Sequence, residues 1–141
     1  HSDLRRQRQM CIRDRNYTDD RLRKLSVSKD QGISWGDIFS DESLIEPICQ
    51  ASMINIQRPF KKELLAFSNP NSKNAREKMT IQFSLDQAET WSQKILIHEG
   101  PSAYSNLVQL SNNEIACLFE GGKKSAYEGI AFKKINIKDI K

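Results

Sequence analysis

This sequence predicts an all-β architecture of four-stranded β-propeller blades, on three observations. Short alternating or apolar runs, bounded by Gly, Pro, Asn and Asp, recur about eight times along its 141 residues. No segment carries an apolar repeat of helical period. A turn of the form S-x-D-x-G-x-x-W, known as an Asp-box, occurs at Ser28, Asp30, Gly32 and Trp35 and returns in worn form at Ser84, Asp86 and Trp91. Both tryptophans of the chain therefore hold the same place in a repeat of 56 residues, a period that suits one blade with a long loop.

The elements follow in order. Residues 1–15 contain five arginines, no apolar period and little to bury, and read as a disordered basic tail. The string also resembles a translated sequencing adapter, which would make it foreign to the protein. Residues 21–28 alternate as a strand with Arg21, Arg23, Leu25 and Val27 on one face. In the first box Asp30 is placed to accept backbone N–H groups of its own turn, Gly32 tolerates positive φ, and Trp35 is expected to pack beneath. An acidic loop is expected over 37–46, then a turn at Glu46-Pro47 and an apolar run over 48–54. A polar patch over 57–62, a strand over 63–68, a loop over 69–76 and a strand over 79–84 lead to the second box. There Ala88 stands in place of the glycine, and an alanine at positive φ is expected to distort the turn. Strands are expected over 94–98 and, past a Gly100-Pro101 turn, from Tyr104 through Leu110; a hairpin partner follows over 114–120, and a last strand over 127–137.

Composition excludes several classes. The net charge is +4, but the first fifteen residues carry three of those charges, so no basic surface for nucleic acid is indicated. No run approaches the ~20 apolar residues of a membrane-spanning helix. Cys11, Cys49 and Cys117 form no C-x-x-C pair and lie apart from both histidines, so neither a zinc site nor a disulfide framework is expected, and no cofactor is implied. Cys49 and Cys117 read as buried free thiols.

The segments S-A-Y-S-N-L (102–107), I-A-C-L-F-E (115–120) and Y-E-G-I-A-F (127–132) resemble the C-terminal end of the exo-α-sialidases. The resemblance covers residues 16–141 and implies the last third to half of a six-bladed catalytic propeller. It makes Tyr104 the catalytic nucleophile, the tyrosine exception among glycosidases. A neutral phenol avoids the repulsion that a carboxylate would meet beside an anionic sugar, and an arginine fork matches the sugar carboxylate bidentately. By the same resemblance Arg76, ending N-P-x-x-x-x-x-R, is the third arginine of a carboxylate-binding triad, and Arg23 the second, with Arg21 as competitor. Glu120 would steady the first triad arginine, Gln50 would lie near the pocket, and Tyr127 and Glu128 would be structural. The first triad arginine (in R-I-P), the acid/base aspartate and the glutamate that assists the tyrosine would precede residue 16 in family order, and none of those motifs is present here.

The function implied is hydrolysis of terminal sialic acids from glycoconjugates with retention, in a secreted, periplasmic or cell-surface enzyme. The chain by itself is expected to be inactive, since acid/base help alone contributes ~10²–10⁴-fold. Its expected partners are the sialylated glycan and the earlier part of the propeller, with no nucleic acid and no membrane. A trans-sialidase, or a non-catalytic propeller that binds glycans or proteins, is the alternative. Cut from its neighbouring blades, the chain is expected to fold poorly and to pair through its apolar strands.

Overall fold

The computed structural model describes residues 19–141 together with the backbone of Met10–Cys11. Nine strands make up the regular structure among the described residues: β1 Met10–Cys11, β2 Leu22–Ser26, β3 Phe39–Ile45, β4 Ser52–Ile56, β5 Leu64–Pro70, β6 Glu77–Ser84, β7 Gln93–Ser111, β8 Glu114–Gly121 and β9 Gly129–Asn136. No helix occurs among the described residues. The strands form a three-stranded sheet, β1-β2-β3, and a six-stranded sheet in sequence order from β4 to β9, with every neighbouring pair antiparallel. Within the expected tail, Met10 and Cys11 pair with Ser26 and Leu25, where no regular structure was expected. The rest of that tail lies outside the described residues.

The six-stranded sheet is curled, and one strand makes the curl. Gln93–Pro101 of β7 pairs with β6, while Ser102–Ser111 pairs with β8. The expected turn at Gly100-Pro101 is instead the handover between partners within one 19-residue strand. Proline lacks an N–H and is tolerated in strands at such irregular points. The register shifts beside it, between Glu77 and Met79, and Pro101 offers only its carbonyl, to Gly122 N at 3.1 Å.

Three apolar clusters are buried among the described residues, the smallest of them Cys49, Ala103 and Ala126. Leu64, Met79, Ile81 and Phe83 from β5 and β6 pack with Ile115, Cys117 and Ile135 from β8 and β9, inside the curl. On the other face of β5, Phe67 meets Leu25 and Leu44 of the small sheet, with Trp91 against its ring at 5.8 Å. Strand β5 is therefore buried at every position, as a strand sandwiched on both faces must be. The acidic loop expected over 37–46 is corrected here: most of it is strand β3, which pairs with β2 and turns only Leu44 fully inward. Its carboxylates are those of a charged edge strand, a common guard against unwanted pairing.

The two box turns share one hydrogen-bond scheme. Ser28 Oγ bonds Asp30 and accepts Gly32 N at 2.7 Å, and Asp30 Oδ1 accepts Ser34 N at 2.8 Å. Ser84, Asp86, Ala88 and Thr90 repeat the pattern, with Ala88 N on Ser84 Oγ at 2.8 Å. Ala88 does adopt φ +67°, yet the turn is not distorted, because those bonds over-determine it. Trp35 differs from expectation as well: it is 40% exposed beside Gly32, whereas Trp91 packs on Phe67 and donates its indole N–H to Asp41.

Candidate functional site

Tyr104 sits in a β-bulge. Ser102 pairs with Gly121 and Ser105 with Phe119, so Ala103 and Tyr104 together oppose the single residue Glu120. A bulge re-aims a side chain and leaves a backbone donor unpaired. Here Glu120 turns its carboxylate back to take that donor, Tyr104 N, at 3.1 Å. Ala103 is buried, and Tyr104 stands 40% exposed at the mouth of a cavity of about 400 Å³. Gln50, Ser105, Asn106, Leu118, Glu120 and Ile130 also line that cavity.

Arg76 ends the loop between β5 and β6. Its guanidinium lies over the Tyr104 ring, 5.8 Å from the centroid. Nη1 donates to Tyr127 Oη at 2.8 Å and Nη2 to Ile48 O at 3.1 Å, while the backbone carbonyl of Arg76 accepts Ser102 N at 2.8 Å. Partial burial works against the charge of Arg76, but Cys49 and the Tyr127 phenol more than offset it, so its pKa lies above the usual arginine value.

Arg23, expected as the second arginine of the triad, is held differently. It is 4% exposed, ion-paired to Glu46 at 2.6 Å, bonded to Cys49 O at 2.7 Å and stacked over Phe67 at 5.6 Å. A guanidinium so enclosed braces the segment 46–50. Its competitor Arg21 lies just before the same strand with φ +52°, and its carbonyl accepts Glu46 N. Burial raises the pKa of Glu46, and the charge of Arg23 only partly opposes that rise. Burial likewise pushes up the Cys49 thiol, against the pull of Arg76 and Arg23.

Residues 48–50 are thus a hub held from both sides. Arg76 grips Ile48, Arg23 grips Cys49, and Gln50 exchanges two hydrogen bonds with the backbone of Ser105, at 3.0 and 3.1 Å. Tyr104, Arg76, Glu120 and Gln50 come together around this hub. The box residues Ser28, Asp30, Gly32, Ser84 and Asp86 bond within their own turns and none of them lines this cavity. Sequence reasoning missed the phenol of Tyr127, which was read as structural, as the partner of Arg76. It equally missed the burial of Arg23, although its place two residues before Leu25 on one strand face was a signal for it.

A phenol beside a fixed cation, at the rim of a cavity, is an arrangement able to receive an anionic ligand and to attack it. A BNR repeat-like domain matches residues 2–117. The chain is 34% identical over 125 residues to a sialidase of Bacteroides fragilis, covering 84% of this chain and 22% of that protein. It is 32% identical over 123 residues to a sialidase of Micromonospora viridifaciens, covering 82% and 18% respectively. A solved Hadza microbial sialidase superposes with a TM-score of 0.71 at 32% identity, over 83% of this chain and 23% of that one. The leech intramolecular trans-sialidase gives a TM-score of 0.70 at 22% identity, a likeness of fold. The chain spans about a fifth of the length of the relatives it matches. It belongs to the BNR repeat-like domain family, and its relatives there are sialidases.

Proposed function

We propose that this chain carries the nucleophile and one substrate-binding arginine of an exo-α-sialidase with a six-bladed propeller. The observation that carries the reading is the Arg76 guanidinium, held 5.8 Å over the ring of Tyr104 at the mouth of the cavity. Arg76 binds the sugar carboxylate and orients the ring. Tyr104 Oη attacks the anomeric carbon, giving up its proton to a base as the aglycone leaves protonated. Water then breaks the glycosyl–tyrosine bond, and two inversions give net retention. The bulge clamp of Glu120 on Tyr104 N fixes the height of the ring above the sheet. The acid/base aspartate, the assisting glutamate and the remaining arginines come from blades outside this sequence, so the chain alone binds sialic acid weakly and does not turn it over. The leech likeness supports a second reading, with a sugar hydroxyl in place of water, which shares every residue named here.

The test is a fluorogenic sialoside assay on this chain joined to the preceding blades of its parent. Retained configuration by NMR and a loss of at least ~10²-fold in kcat for Tyr104→Phe are expected. Unchanged turnover in Tyr104→Phe would overturn the assignment. Mass spectrometry of the products separates hydrolysis from transfer.

A further inference from the structure

We infer that Tyr127 is a second ligand of the sugar carboxylate, its hydroxyl donating beside Arg76; this rests on the sialidase reading above. A phenol has one proton to give and two lone pairs to receive. Arg76 Nη1 already donates to Tyr127 Oη at 2.8 Å, which leaves the phenol's own proton to point elsewhere. Among the described residues no acceptor takes it, and Tyr127 is 66% exposed. A bond received from a cation also polarises the O–H, making it a better donor. An anion that meets Arg76 therefore meets this hydroxyl too.

The loop that presents Tyr127 is built to hold it still. Glu128 folds back so that its two carboxylate oxygens accept Lys123 N at 2.7 Å and Lys124 N at 3.1 Å. Gly122 sits so close to Ser125 O and Glu128 that a Cβ has no room there. The Gly122 carbonyl pairs with His98 Nε2 at 3.0 Å, and its N–H with Pro101 O at 3.1 Å. The ring of His98 rests against Phe119, beneath the site. A plain connection between β8 and β9 needs none of these ties, whereas a ligand-binding group gains from rigid support.

The experiment titrates the full chain with N-acetylneuraminic acid, and separately with its methyl ester, by NMR up to the solubility limit. It compares the parent with Tyr127→Phe and follows the Arg76 side-chain resonance in the free protein. The expected result is about fivefold weaker binding of the acid by the variant, at the low end for a hydrogen bond to a charged group because the site is wet. The ester should bind both proteins alike, with Arg76, still held by Ile48 O, unshifted in the free variant. Equal affinity of both proteins for the acid would overturn the inference and leave the sialidase reading standing. Weaker binding with a displaced Arg76 resonance would make Tyr127 a strut and also overturn it. Failure of the parent to prefer the acid over its ester would overturn the sialidase reading itself.

Discussion

Replacing Arg23 with methionine tests whether that arginine is a brace or a substrate clamp. The substitution keeps an unbranched side chain over Phe67 and removes the charge that faces Glu46 at 2.6 Å. Arg23 is 4% exposed, so little solvent screens the pair, and stripping one partner from a buried ion pair costs about 3–5 kcal/mol. The Cys49 carbonyl loses its charged donor as well. The loss should depend on pH in a definite direction. Burial already raises the Glu46 pKa above 4.5, and without Arg23 it rises further. A carboxyl with a raised folded pKa favours the folded state below its unfolded value and loses that contribution as pH climbs through the folded one. Arg23→Met should therefore regain stability on acidification, by at most ~1.4 kcal/mol per pH unit. Adding Glu46→Leu should restore most of the loss at neutral pH, because two apolar groups replace the pair. Urea unfolding of the parent, both single variants and the double variant gives the coupling directly. A cost for Arg23→Met below about 1 kcal/mol, or single effects that merely add, would refute the brace and return Arg23 to the substrate.

Other outcomes are accessible to the same methods. Ala88→Gly should stabilise the chain by about 0.5–1 kcal/mol in urea, since the alanine holds φ +67°. Gly122→Ala must push Glu128 off the amides of Lys123 and Lys124, and should lower stability by about 1–3 kcal/mol in the same assay. The Ser34 hydroxyl, then the Ser34 amide and the Ser28 hydroxyl, hold the Asp30 pKa down to about 2 from 3.8. Its stabilising contribution is complete above 3.8 and fades as pH falls through about 2, so melting curves of Asp30→Asn should flatten over that interval relative to the parent.

The sequence's legibility followed the range of the forces involved. Strands with alternating or wholly apolar residues, such as 64–68 and 115–119, were readable because their pattern is local. So were the two turns, whose serine, aspartate and backbone partners lie within six residues of one another. Strand β3 was not, since its carboxylates look like a loop until β2 pairs with it. Resemblance assigned Arg23 to the substrate, whereas its ion pair with Glu46, 23 residues away, lies beyond any local pattern. Tyr104 was singled out by resemblance alone. No local pattern announces that Ala103 and Tyr104 share one partner, as the bulge requires. Tyr127, expected as the first residue of the last strand, lies instead in the turn before β9, and its bond to Arg76 spans 51 residues, farther than any spacing rule reaches.

Strand β7 also sets how this stretch of chain can vary in evolution. It lies on β6 up to Pro101 and on β8 from Ser102, so its length is measured from both ends. One residue added or lost between Gln93 and Tyr104 would turn every later side chain to the opposite face and shift it by about 3.3 Å. Tyr104 would then point into the core, with Ala103 or Ser105 at the cavity mouth. Point substitutions along Leu96, Glu99 and Gly100 change surface or packing and leave that count intact. Among homologues, insertions and deletions should therefore fall in the loop 57–63, while the spacing from the second box tryptophan, Trp91, to the tyrosine stays constant even where the residues between them do not.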